Sequence, residues 1–300
     1  MGKPRIVAVI PAYNEGSSIA SVVLETSRHV DGVILCDDGS IDDTAEIARR
    51  MGAKVIQNPR NMGKGAAVKR CLVEALGEDP GIVVMIDADG QHSPRDIPRL
   101  VEPIASGQAE LVIGSRFLEG SVTDAPAYRR LGLGIIDGVF GKVLGGGITD
   151  TQSGFRAFHS SLIELMLGIE SDGYGFETEQ NYKALSRGVR IKEVPTTVRY
   201  VGVLRASKKN PLLQGVEVLG TIARLVVEER SFRYMGAPGV ALLLMGALMV
   251  LLLTRYDEVS FFNIPLATIT TVSLASGIVL VLGFLVFPGF NKLGSGTRHT

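Results

Sequence analysis

The apolar positions of this chain fall into two regimes. Through the first two hundred residues, short apolar β-rich runs at 5–10, 32–36, 54–57, 82–86 and 110–113 alternate with helical spacing at 17–29, 42–51, 63–76 and 94–105. Strands alternating with helices predict a mostly parallel sheet with helices on both faces. The pattern then changes. Residues 234–254 and 259–291 carry no charged side chain. Each run exceeds the roughly 20 residues a helix needs to cross a hydrocarbon core, which predicts two transmembrane helices in a hairpin. Pro265 falls near the start of the second helix and Pro288 near its end. Between the regimes, 212–227 reads as an amphipathic helix with Leu212, Val216, Leu219, Ile222, Ala223 and Val226 as its apolar positions. Such a helix suits either a membrane interface or the flank of the α/β domain.

Composition refines this picture. The 300 residues are 46% hydrophobic and 21% charged, and the positive mean hydropathy of +0.25 comes largely from the C-terminal runs. Thirty-one Lys and Arg balance 31 Asp and Glu, which argues against a nucleic-acid binder. Cys36 and Cys71 are too few for a disulfide framework and read as small buried residues. Arg224, Arg230 and Arg233 precede the first apolar run, and Lys292 and Arg298 follow the second. The positive-inside rule then puts both termini and the α/β domain in the cytoplasm. The five apolar residues at 6–10 are too few for a signal peptide, and Ile6 is not the Ser or Thr of a myristoylation signal.

In a parallel sheet, ligands bind beyond the C-terminal ends of the strands. After the first predicted strand comes Pro11-Ala12-Tyr13-Asn14-Glu15, and after the second Asp37-Asp38-Gly39-Ser40. Asp87-Ala88-Asp89-Gly90-Gln91 follows the fourth and Gly114-Ser115-Arg116 the fifth. Asp87 and Asp89, one residue apart, suit a hard divalent cation, with Gln91 as a further oxygen ligand. Asp37 and Asp38 can accept hydrogen bonds from a base and a ribose, while Ser40 and Asp42 suit a helix cap. Glu15 can bind ribose or base, or cap a first turn. Lys64, at the start of a helix in a glycine-rich segment, suits an anionic phosphate. Arg116, Arg129 and Arg130 flank a loop of small and polar residues; arginines bind phosphate as forks, although each alone reads as a surface ion pair. Arg205-Ala206-Ser207-Lys208-Lys209 is a basic cluster suited to anionic lipid or phosphate. No Walker A loop and no Gly-x-Gly-x-x-Gly after the first strand is present, which sets aside P-loop enzymes and nicotinamide dehydrogenases.

Taken in order, these motifs with Thr149-Asp150-Thr151-Gln152-Ser153-Gly154-Phe155-Arg156 resemble family 2, GT-A-fold glycosyltransferases of the polyprenyl-phosphate (dolichyl-phosphate) group. The resemblance covers roughly residues 1–230. It implies a GT-A catalytic domain at 1–204, an acceptor loop and juxtamembrane helix at 205–233, two transmembrane helices at 234–291 and a cytoplasmic tail at 292–300. It implies that Pro11, Ala12, Tyr13, Glu15, Asp37, Asp38, Lys64, Asp87, Ala88 and Asp89 bind a nucleotide-diphosphate sugar. Asp87, Asp89 and Gln91 would hold Mg²⁺ or Mn²⁺. Arg116, Arg130, Arg205, Ser207 and Lys208 would bind the phosphate of a polyprenyl acceptor in the membrane. Asp89, Arg116, Arg130 and Asp150 would be catalytic, with Asp150 near the reacting sugar. Glu177 and Glu179 read as sugar-hydroxyl ligands or as ordinary helix-surface residues. The implied reaction is an inverting transfer to a lipid phosphate, with UDP-glucose or UDP-N-acetylglucosamine the expected donor and GDP-mannose the alternative. A homo-oligomer is compatible with these features. The absence of Trp excludes the Gln-x-x-Arg-Trp motif of processive polysaccharide synthases. A nucleotidyltransferase's glycine-rich first loop is missing too. A catalytically silent, membrane-anchored binding module remains the reading from another class.

Overall fold

A computed structural model describes residues 3–143, 147–200, 211–229, 235–253 and 263–296. The chain divides into two compact units, Met1–Ile222 and Ala223–Thr300.

The first unit alternates strand and helix as the apolar pattern predicts. It runs β1 (Ile6–Ala12), α1 (Ile19–Thr26), β2 (Gly32–Asp37), α2 (Thr44–Arg50), β3 (Lys54–Gln57), α3 (Lys64–Leu76), β4 (Ile82–Met85), α4 (Ile97–Ala105) and β5 (Leu111–Ser115). Then follow β6 (Val122–Thr123), α5 (Ala127–Val143), β7 (Arg156–His159), α6 (Ile163–Leu167), α7 (Phe176–Ser186), β8 (Ile191–Pro195), β9 (Thr197–Val198) and α8 (Pro211–Glu229). The main sheet has the order β3-β2-β1-β4-β7-β5-β8. Strand β7 is antiparallel to both neighbours, and the other pairs are parallel. The C-terminal ends of β1, β2, β4 and β5 therefore share one edge, and the four motifs meet there.

Alternation along β1 divides the core between two faces. Ile6, Ala8 and Ile10 pack with Ile19, Val22 and Val23 of α1 and Leu100 and Ile104 of α4. Val7 and Val9 pack with Val68, Cys71 and Leu72 of α3 and Phe176 of α7. Each large apolar side chain buried this way contributes on the order of 2 kcal/mol. Cys36 and Cys71 are buried free thiols within this packing.

Helix α8 departs from the apolar face assigned to 212–227. Val218, Thr221, Ile222 and Leu225 are its buried positions, whereas Val216 and Leu219 are exposed. Glu217 accepts the Tyr174 backbone N–H at 2.7 Å, and a Cβ on Gly175 would run into Thr221. Within the first unit, up to Ile222, this helix meets the 173–175 turn through Glu217 and Thr221.

The second unit contains α9 (Ala237–Leu253) and α10 (Asn263–Gly296). A Cβ on Gly239 would meet Val281 and Leu280, and one on Gly277 would meet Leu243. Small residues thus let the two backbones approach closely. The 19-residue stretch Pro265–Gly283, with mean hydropathy 2.0, is long and apolar enough to cross a membrane; Ala237–Leu253 is shorter. Helix α10 continues past Pro288 to Gly296, so that proline lies inside the helix and the first residues of the expected tail are helical.

Candidate active site

At the end of β1, Pro11 and Ala12 are buried and Tyr13 is 42% exposed. Asn14 adopts a left-handed conformation, φ 56°, which asparagine tolerates better than most residues. Its side-chain oxygen accepts the Ile41 N–H at 2.8 Å, and its own N–H donates to Ser40 Oγ at 2.8 Å. The Glu15 N–H donates to Thr44 Oγ1 at 2.8 Å. The loops after β1 and β2 are thereby laced together. Helix α2 begins at Thr44, and Asp42 Oδ1 receives the Thr44 N–H at 3.2 Å. Ser40 ties down the first loop and does not cap α2.

The β2 acids each accept hydrogen bonds from within the protein. Asp37 accepts the Ser40 N–H and the Gln57 amide, each at 3.1 Å. Asp38 accepts Asn58 Nδ2 at 2.6 Å, the Met62 N–H at 2.9 Å and the Gly63 N–H at 2.8 Å. Both are almost wholly buried. Their oxygens hold the 58–63 segment against β2, where Gly39, φ +76°, is required because a Cβ would stand 2.6 Å from the Arg60 backbone.

At the start of helix α3 the Gly65 N–H donates to the Asp172 carbonyl at 2.7 Å. The Lys64 ammonium lies 2.7 Å from Asp87 Oδ1 and 2.7 Å from Glu177 Oε1. Burial would lower the Lys64 pKa, but these carboxylates outweigh it and hold the group firmly protonated. Burial would likewise raise the Asp87 pKa, and Lys64 overcomes it. Asp89 receives the Gln91 N–H at 3.0 Å; burial and the Asp87 charge push its carboxyl up to about 6. The Ala88 carbonyl accepts Ser18 Oγ at 2.8 Å, fixing the intervening residue. Among the described residues no group of three or more His, Cys, Asp or Glu forms a metal cage. The acidic pair nevertheless fits a hard cation: its negative charge is incompletely balanced, and two carboxylates leave positions for phosphate oxygens and water.

Arg116 and Asp150 face each other as a fork. Nε and Nη2 of Arg116 donate to the two Asp150 oxygens at 2.7 and 2.6 Å, and the Arg116 backbone N–H adds a third bond at 3.0 Å. Asp150 is fully buried; burial would raise its pKa, but Arg116 keeps it below the usual carboxylate range. It is the charge partner of Arg116. Arg116 Nη1 donates to Tyr200 Oη at 3.0 Å, and the Arg129 guanidinium lies 4.9 Å from the Tyr200 ring centre. Arg130 is exposed. Tyr200 thus joins Arg116 to Arg129, not to Arg130. Neighbours on a helix point about 100° apart, so the Arg-Arg pair alone did not tell which one turns inward. Arg205, Ser207 and Lys208 lie outside the described residues.

Arg156 and His92 gained no role from the sequence, whereas Glu177 and Glu179 stood between a sugar-ligand and a helix-surface reading. Glu177 and Glu179 are buried, at 3% and 1% exposure. Glu179 accepts the Glu170 and Ser171 N–H groups at 2.8 and 3.0 Å and pairs with Lys183 at 2.7 Å. Burial would raise its pKa; these donors instead bring it to about 2. Arg156 is fully buried and donates to Gln180, Asn181 and the Ser153 and Thr151 carbonyls, fixing the 151–156 loop. The His92 ring lies tilted at 46° to that of Phe155, centroids 5.2 Å apart; its Nδ1 is buried without a hydrogen-bond partner among the described residues, and burial lowers its pKa to about 4. The signal for Glu177 was its spacing: Phe176 and Gln180 share its helix, and that helix's buried face is unusually polar.

A doubly wound sheet with an acidic pair after β4, Arg116 after β5 and Arg129 on α5 suits the class of transferases that use a sugar nucleotide. The family profile described as "Glycosyl transferase family 2" matches residues 7–166, and the chain belongs to that family. It is 32% identical to the UDP-N-acetylglucosamine–dolichyl-phosphate N-acetylglucosaminyltransferase of Methanococcus voltae, over 71% of this chain and 93% of that protein. It is 30% identical to the polyprenol monophosphomannose synthase of Mycolicibacterium smegmatis, over 69% and 82% respectively. Among solved structures it resembles glucosyl-3-phosphoglycerate synthase of Mycobacterium tuberculosis in complex with Mn²⁺, UDP and glucosyl-3-phosphoglycerate. That match has a TM-score of 0.56 and 28% identity, over 73% of this chain and 78% of the other.

Proposed function

We propose that this enzyme transfers a sugar from a nucleotide-diphosphate sugar to a polyprenyl phosphate at a membrane, inverting the anomeric centre. The observation that carries this reading is the meeting, at one sheet edge, of the Asp87–Asp89 pair with Lys64 and of Arg116 with Tyr200 and Arg129. The 19-residue apolar stretch of α10 supports a lipid acceptor, as do the names of the two curated relatives. By the loop charges, both termini lie in the cytoplasm.

Asp87, Asp89 and Gln91 would hold Mg²⁺ or Mn²⁺, the ions bound by glucosyl-3-phosphoglycerate synthase. When bound, the cation would stabilise charge building on the diphosphate leaving group. Pro11, Ala12, Tyr13 and Glu15 line the nucleotide side, with Asp37 and Asp38 shaping that wall from behind. Arg116 and Arg129 orient the acceptor phosphate. An acceptor oxygen bonds to the anomeric carbon as the bond from that carbon to the diphosphate breaks. The acceptor is already anionic, so no carboxylate need remove a proton, which agrees with Asp150 being buried against Arg116. By the resemblance, Arg205, Ser207 and Lys208 would add charge and hydrogen bonds to the acceptor phosphate.

The donor is UDP-glucose or UDP-N-acetylglucosamine on the strength of the stretch at 150–155, with GDP-mannose the alternative, a mannose donor being in keeping with the mycobacterial relative's name. The test offers UDP-glucose, UDP-N-acetylglucosamine and GDP-mannose with Mn²⁺ and a short polyprenyl phosphate to detergent-purified protein. A hexose or N-acetylhexosamine adduct on the lipid, read by mass spectrometry, is the expected result. Folded protein giving no adduct with any donor would favour the silent binding module.

A further inference from the structure

The Lys64 side chain stands where its expected role does not put it. A lysine that serves a diphosphate should face the pocket, yet this ammonium is locked between two carboxylates, 2.7 Å from each. One of those carboxylates belongs to Asp87, half of the acidic pair. The Lys64 Nζ therefore takes an oxygen on which a divalent cation would depend. The two partners are not equivalent. Glu177 is 3% exposed and projects from the first turn of α7, whereas a quarter of the Asp87 side chain is open to solvent.

We propose that Lys64 is a built-in counter-cation, neutralising Asp87 in the ligand-free enzyme and yielding that carboxylate to the divalent cation while Glu177 keeps hold of it. The inference rests on the assignment of Asp87 and Asp89 as cation ligands made above. A lysine suits the part because its charge sits at one compact point on a flexible four-carbon stem. The wall beside the pair is made to measure. A Cβ on Gly154 would stand 2.7 Å from Lys64 Nζ and 2.9 Å from Asp87 Cγ. Only a glycine lets the 151–156 loop pass so close, and the buried Arg156 holds that loop in place.

The need for such a counter-charge follows from the acids themselves. Asp87, Asp89 and Glu177 converge in a poorly solvated region, where like charges repel far more strongly than in water. Lys64 relieves part of that repulsion before any ligand arrives. It also sets the order of events: a cation arriving alone must displace an ammonium, whereas one arriving with a diphosphate offers that ammonium a new partner. Cation and nucleotide should accordingly bind with positive coupling, and Lys64 should be its source.

Mn²⁺ binding to the full-length protein in detergent, read from the electron paramagnetic resonance signal of free Mn²⁺, tests this without turnover. Without nucleotide, Lys64→Met should bind Mn²⁺ about threefold to tenfold more tightly than wild type, since a repelling charge has gone. Lys64→Arg, which keeps the charge, should stay near wild type. UDP should tighten Mn²⁺ binding in wild type and much less in Lys64→Met. Equal or weaker Mn²⁺ binding by a Lys64→Met protein with a normal melting curve overturns the inference while leaving the cation site standing. Failure of wild type to bind Mn²⁺ even with UDP overturns both. Should Lys64→Met not fold, a wild-type structure with Mn²⁺ decides: Lys64 Nζ beyond ion-pair distance of Asp87 supports the proposal, and an unbroken pair overturns it.

Discussion

The two ends of the site handle charge in opposite ways. After β2, both oxygens of Asp37 and of Asp38 already receive protein donors. After β4, negative charge is in excess: Asp89 has one backbone donor, and its carboxyl is pushed up to about 6 by burial and by Asp87. A buried charge with a full set of partners holds the chain in shape. A buried charge short of partners is held there at a cost that a ligand can relieve. The contrast predicts that mutations after β4 remove activity and spare the fold, whereas mutations after β2 do the reverse.

The largest effect should come from Asp89→Ala. Losing one of two cation-holding carboxylates should slow transfer by about 10³-fold, about 4 kcal/mol in the barrier. The melting temperature should stay within about 2 °C, because relief of repulsion with Asp87 offsets the lost hydrogen bond. Steady-state rates beside thermal melts check both halves. Near-normal turnover would remove Asp89 from the mechanism.

Asp38→Ala should behave in the opposite sense. It strands the donors of Asn58, Met62 and Gly63, which should cost about 3 kcal/mol of stability. Urea titration measures this. A variant as stable as wild type but defective in nucleotide binding would make Asp38 a ligand after all.

Glu179 extends the contrast to pH. Its carboxyl is brought from 4.5 to about 2 on folding, so it stabilises the fold fully above pH 4.5. That contribution disappears as pH falls from 4.5 through 2. The shift corresponds to roughly 3 kcal/mol. Glu179→Gln should lose about that much at pH 7 and show a flatter loss of stability between pH 5 and 3. An unchanged acid limb in chemical-denaturation curves would assign the acid sensitivity to other carboxylates.

The strands that carry the motifs were legible because they are apolar runs of four to seven residues flanked by polar turns, and β1 to β5 lie close to their expected places. Strand β7 was not, because it falls outside the strand–helix alternation and enters the sheet antiparallel; only tertiary burial turns its Arg156 into a core residue. Residue types at the site were equally legible, but partners were not. Asp38, Lys64 and Asp150 were all read as facing a ligand, and each is paired within the protein. Spacing reports which strand end a carboxylate occupies. It does not report that Asn58, Glu177 or Arg116 arrives from 20 to more than 100 residues away to meet it.

The smallest and most pointed effect concerns the arginines. Arg116 is a poor probe of acceptor binding, since removing it strands the buried Asp150 and should destabilise the protein by about 3–5 kcal/mol. Arg129 and Arg130 are cleaner, because neither carries a buried ion pair among those described. Arg129 rests on the Tyr200 ring, beside the hydroxyl that receives Arg116, whereas Arg130 is exposed. Arg129→Ala should raise the KM for polyprenyl phosphate about tenfold, the loss of one charge-assisted phosphate contact, with the KM for the donor unchanged. Arg130→Ala should change either KM by less than about twofold. Tyr200→Phe keeps the ring under Arg129 and removes the hydroxyl beside Arg116, so it should fall between the two. The reverse ranking, with Arg130→Ala the more damaging to acceptor KM, would mean that the inward helix position was misassigned and that Arg130, as first expected, meets the lipid phosphate.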